Sequence, residues 1–240
     1  MDNNILDFTN TRENENVVVK SFLTKVFTWM VGALAISGII AWLFATTPAL
    51  HDLLFVNDGI HTGFSGLGYV VMFAPLAFIL VMNFGLEKLS LPVILTLFIL
   101  YSVTMGMSLS VIFLLYAGAT LAKTFLISAG AFGFMAFLGA TTKTDLTKFG
   151  SYLYMGLFGI IIASVINYFT GGSTFLIDIL CVVVFTGLAS YKVQMLKNMA
   201  LQMTEGGEQT QKMALWGALS LYITFINLFL TLLRLAGGKR

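Results

Sequence analysis

The stretch Met213–Leu235 reads MALWGALSLYITFINLFLTLLRL. As a helix it is long enough to cross the hydrocarbon core of a bilayer, which takes about 20 residues. Gly217, Ser220, Thr224, Asn227, Thr231 and Arg234 recur at alternating steps of three and four, which puts them on one face. The remaining surface is Leu219, Ile223, Ile226, Phe229, Leu230 and Leu233. A row of hydroxyls with an amide in its middle is costly against acyl chains. The polar seam is therefore expected to turn toward other helices inside a bundle, with Phe229 and Leu230 left facing lipid. Two roles stay open for it: glue between helices, or the lining of a path for an ion or proton.

Working outward from this stretch, the composition agrees with a bundle. Of 240 residues, 58% are hydrophobic and only 10% charged, more apolar surface than a soluble domain hides. The chain reads as an all-α integral membrane protein, a seven-transmembrane-helix bundle with the lipid bilayer as its first partner. A net charge of +2, spread over helix ends, gives no basic patch for nucleic acid. The lone cysteine, Cys181, excludes an internal disulfide and a cysteine cluster for zinc, and reads as a small packing residue. The N-terminus lacks an early basic region followed by an apolar core, so no cleaved signal peptide is expected.

Residues 1–19 read as a polar tail, and residues 20–240 as one membrane domain. Its helices are expected at about 20–46, 67–84, 92–116, 119–141, 149–169, 174–196 and 213–235. Pro75 lies inside the second, whereas Pro92 opens the third, where a missing N–H costs little. Small residues suited to close backbone approach form rows: Ser102, Gly106 and Ser110 in the third helix, Ala129, Gly133, Ala136 and Ala140 in the fourth, Gly156 and Gly159 in the fifth. Only Ala117 and Gly118 separate the third helix from the fourth, the least marked boundary in the chain.

Lysines and arginines orient the bundle. With the N-terminus inside, Arg12, Lys20, Lys25, Lys88, Lys143, Lys148, Lys192, Lys197 and Lys212 lie on the inner side. Lys123, Arg234, Lys239 and Arg240 lie on the outer side, and nine against four favours this orientation. The C-terminus then lies outside. A re-entrant last segment, the alternative, would put both termini inside.

Few charges fall within the spans, and such charges are usually paired or functional. Asp178 and Lys123 lie at equal depth near the outer side and form the candidate ion pair, with Arg234 competing for the same carboxylate. Independent snorkelling to the headgroups is the alternative, and it is the reading adopted for Lys192. No enzyme and no cofactor are expected. A serine protease needs a histidine within the bundle, but His51 and His61 both sit in the first outer loop. With Asp52 and Asp58 they match no closed metal spacing. A retinal Schiff base needs a lysine where Thr224 stands.

Several stretches together resemble the Bax inhibitor-1 family: FLTKVFTWMVGALAISGIIAWL, IIASVINYF, GLASYKVQ and LYITFINLFLTLLRLAGG, in that order. The resemblance covers nearly the whole chain from Lys20 and implies a last helix wrapped by the other six. It also implies a role in ion homeostasis, since family members are associated with pH-dependent calcium leak and some bacterial relatives with restraining a membrane-bound ATP-dependent protease. Calcium or another cation and a membrane protease are thus the partners it suggests. The family's pH sensor is a pair of facing aspartates, which share a proton and titrate together. Carried onto this sequence, their positions are Lys192 in SYKVQ and Thr224 in LYITF, so both acids are absent.

Overall fold

With no water in a bilayer core, each backbone N–H and C=O must bond within its own segment, and long apolar runs become helices. The computed structural model describes residues 2–57, 62–203 and 207–237, with side chains from residue 17 onward except at 57 and 62. In chain order the elements are α1 Asp2–Thr46, α2 Pro48–Leu54, a hairpin of β1 Phe55–Asn57 and β2 Thr62–Phe64, α3 Gly66–Gly85, α4 Leu91–Leu115, α5 Gly118–Thr141, α6 Thr147–Thr170, α7 Phe175–Leu201 and α8 Glu208–Leu235. The hairpin is antiparallel, with Phe55 opposite Phe64. Among the described residues seven helices are long and apolar enough to cross a membrane, α1 counting from Val17. The protein is an all-α, multi-pass membrane protein.

Three helices outrun their apolar segments. Residues 2–19 belong to α1 rather than to a separate tail, because they contain no glycine or proline to stop a helix already nucleated downstream. For the same reason α7 continues to Leu201 and α8 starts at Glu208, well before the apolar run. The helix α8 is unbroken from Glu208 to Leu235, long and apolar enough to cross a membrane. In the first long connection, His51 bonds Asp52 at 3.2 Å and stacks on Phe55. Asp58 and His61 lie outside the described residues, and so do Lys239 and Arg240. Among the described residues no group of three or more His, Cys, Asp or Glu side chains is placed to hold a metal.

Burial is graded. The most apolar window of α8 is 67% buried, that of α7 50% and that of α6 only 11%. Helix α8 packs against α1, α4, α5 and α7, while α3 leans on α4 and α6 on α7. Two spans thus stand one layer out, a less symmetrical arrangement than six helices around one. A polar knot ties α1, α4 and α8 together. The Tyr222 hydroxyl meets Ser37 Oγ at 2.7 Å, and Ser37 donates to the Ser102 carbonyl at 2.7 Å. Gly106 permits this approach: a Cβ there would lie 2.7 Å from the Ser37 carbonyl oxygen.

Candidate functional site

Helix α8 packs on both of its faces: the seam meets α7 through Gly217, Thr224 and Arg234, and the apolar side is buried as well. Leu219, Ile226, Phe229 and Leu233 are buried, and the Phe229 ring packs edge-on against Phe125. The expectation that Phe229 faces lipid is overturned. Thr224 and Thr231 are also buried, but Ser220 and Asn227 are half-buried and Arg234 is exposed. The physical reason is local satisfaction of the polar groups. Thr224 Oγ1 donates to the Ser220 carbonyl at 2.9 Å, Asn227 Nδ2 to Ile223 at 2.8 Å and Thr231 Oγ1 to Asn227 at 2.7 Å. Bonded back onto their own helix, these side chains need no partner helix, and the apolar face packs as well. Thr224, Asn227, Thr231 and Arg234 line a cavity of about 470 Å³ between α6, α7 and α8.

Lys192 enters this cavity from α7. Its Nζ donates to Thr224 Oγ1 at 2.8 Å and to the Ser220 carbonyl at 3.1 Å. The side chain is only 9% exposed, so it does not snorkel. Two oxygens within reach replace the headgroup water it would otherwise seek. The two positions that the resemblance assigned to a proton-sharing pair, 32 residues apart in sequence, are in direct contact. A second cavity of about 210 Å³, lined by Asn83, Tyr154 and Trp216 among others, adjoins Lys192 on another side. Lys192, Tyr154 and Ile223 line both, so the ammonium stands at their junction.

At the far end of the seam Asp178 pairs with Arg234, whose Nε and Nη2 each lie 2.8 Å from Oδ1. Nη2 also donates to Thr231 Oγ1 at 3.3 Å. The expected Asp178–Lys123 pair does not form. Lys123 is exposed on α5, whereas Asp178 occupies the first turn of α7 on the side packed against α8. There the positive end of the helix dipole supports its charge as well.

Other polar residues of the site drew no attention in the sequence. Tyr154 lines both cavities, and Trp216 Nε1 donates to Asn83 Oδ1 at 2.8 Å, joining α8 to α3. An asparagine inside an apolar run was the available signal. Gln194, the last residue of SYKVQ, accepts from the Leu146 N–H and donates to the Thr144 carbonyl, both at 2.7 Å. It thereby braces the α5–α6 connection against α7.

A seven-span bundle with a polar seam on its last helix, met by a lysine of the preceding helix, defines a multi-pass membrane protein. The sequence matches the family profile described as "Inhibitor of apoptosis-promoting Bax1" over residues 19–240, and the chain belongs to the Bax inhibitor-1 family. It is 39% identical to the inner membrane protein YbhL of Escherichia coli K12 over 225 residues, 92% of this chain and 93% of that one. It is 40% identical to a protein of Borreliella burgdorferi over 233 residues, 96% of this chain and 97% of that one. A Caulobacter vibrioides protein is 38% identical over 227 residues, 92% and 90% of the respective chains.

Proposed function

We propose that this protein is a non-enzymatic inner-membrane modulator of ion balance or membrane stress that conducts little calcium and lacks the family's carboxylate pH sensor. The Lys192–Thr224 contact carries this reading. Calcium takes a shell of oxygens that includes carboxylates, and here the corresponding place holds a buried ammonium. A divalent cation 4 Å from a fixed positive charge is repelled by about 8 kcal/mol at an effective dielectric of 20. The inner membrane is assigned by similarity to YbhL, whose name places that protein there.

The test is calcium flux into liposomes holding purified protein. Flux is expected to be low and to vary weakly between about pH 6 and 8, the range in which a coupled carboxylate pair with raised pKa titrates. Lys192→Asp combined with Thr224→Asp should create strong, steeply pH-dependent flux, and each single change should do less. Steep pH-dependent flux from the unmodified protein would overturn the reading. A second reading, a non-conducting partner that restrains a membrane-bound ATP-dependent protease, is favoured by α6. Its apolar window is 11% buried and leaves a face free for another membrane helix. Copurification of such a protease, lost on placing tryptophan for Gly159 on that helix, is its test.

A further inference from the structure

A buried ammonium in a membrane interior is costly unless a counter-charge meets it. Lys192 Nζ carries three protons and gives two of them to the Thr224 hydroxyl and the Ser220 carbonyl, neither of which is charged. Among the described residues no ion pair includes Lys192. The other titratable groups around the cavity are Tyr154 from α6, Cys181 and Asp178 from α7, and Arg234 from α8. Asp178 and Arg234 neutralise each other at 2.8 Å, about 15 Å along α8 from Thr224, leaving one positive charge uncompensated at Lys192.

The space beside that charge has the character of a ligand site. At about 470 Å³ it falls in the range of small-molecule pockets, which are mostly apolar with a few placed polar groups. Leu157, Ile160, Phe185 and Leu188 supply apolar wall between Lys192 and Arg234. One wall is formed by α6, which packs on α7, and its Ile161 and Val165 are 51% and 53% exposed. The cavity therefore opens sideways, toward the bilayer, along α6.

We propose that this cavity binds a single-chain anionic amphiphile, its oxyanion head on Lys192 and its alkyl chain lying along the apolar wall of α6 and α7. The head supplies the missing counter-charge and the chain covers the apolar wall. A carboxylate or a phosphate monoester meets the chemistry equally. A bare inorganic anion would leave most of the cavity empty. Whether calcium passes does not enter, since the site is read by binding alone.

The experiment uses the full chain in nanodiscs of zwitterionic lipid and a dodecanoate carrying a photoreactive diazirine on its chain. Cross-linked peptides are mapped by mass spectrometry, with dodecyl phosphate and dodecanol analogues run in parallel. Labelling is expected on α6 and α8 around Ile161, Val165 and Asn227, with the alcohol at least tenfold weaker. Lys192→Met should reduce labelling by the acid at least tenfold, and Lys192→Arg should retain it. Ser164→Trp, which fills the cavity without touching Lys192, should also abolish labelling and guards against misfolding of the lysine variant. Preference for the carboxylate over the phosphate, or the reverse, identifies the source of the head and supports the site. Equal labelling by acid and alcohol, or labelling unchanged in Lys192→Met, would overturn it. Displacement by equimolar chloride or acetate would overturn it too, reducing the site to one for small anions.

Discussion

Arg234 holds Asp178 from a half-exposed position, with 48% of its side chain accessible against 5% for the carboxylate. Removing the arginine leaves a buried acid without its partner, whereas removing both leaves nothing unmet. Arg234→Met should therefore destabilise by about 1–3 kcal/mol, less than for a fully buried pair because water reaches the guanidinium. Asp178→Asn added to Arg234→Met should restore most of the loss. Lys123→Met should change stability by no more than about 0.5 kcal/mol and show no coupling to Asp178. Thermal unfolding of the purified protein, arranged as double-mutant cycles, measures all three. Coupling of Asp178 to Lys123 would contradict the pairing. That Asp178 needed a cationic partner was legible in the sequence, and so was the pair of candidates. Choosing between them required knowing which side of α7 meets α8, a matter of helix rotation that local sequence leaves free.

Rotation also separates the rows of small residues that pack from those that do not. In α4 the row Ser102, Gly106 and Ser110 is buried throughout, as its spacing suggests. In α5 the row runs through Ser128, Phe132, Ala136 and Gly139, while Ala129 and Gly133 are exposed. A Cβ at Gly139 would lie 2.1 Å from the Ser190 carbonyl oxygen, but at Gly133 it would meet nothing within 4 Å. Gly139→Ala should thus cost about 1–3 kcal/mol by forcing α5 from α7. Gly133→Ala should gain about 0.5–1 kcal/mol through helix propensity alone. Melting temperatures moving in the same direction would count against this packing. Helix α8 invites a labelling test in a Cys181→Ala background. A cysteine at Phe229 should resist a lipid-phase thiol probe, and one at Asn227, which lines the open cavity, should react. The reverse pattern would restore the outward-facing apolar side that the sequence suggests. Polarity marked the seam correctly. It did not reveal that Thr224, Asn227 and Thr231 bond back onto their own helix, so that the other face packs as well.

At the scale of the whole molecule, seven spans and the lysine and arginine bias predict that the α5–α6 connection lies inside and the α6–α7 connection outside. In the same Cys181→Ala background, an impermeant thiol reagent added to intact cells should label Ser173→Cys and spare Asp145→Cys. Labelling of Asp145→Cys alone would invert the bundle. The number of spans, their approximate limits and the membrane class follow from the sequence by itself, because hydrocarbon makes every long apolar run satisfy its own backbone as a helix. The family was legible as well, through motifs kept in order along the chain. Helix ends were not, since a polar extension without glycine or proline continues a helix past the bilayer, as in α1 and α8. Only the tertiary structure decided that Lys192 reaches Thr224 instead of the headgroups, that Arg234 wins Asp178, and that two cavities meet at one ammonium. A side chain's partners depend on the azimuth and offset of whole helices, and these are set by packing between spans distant in the chain.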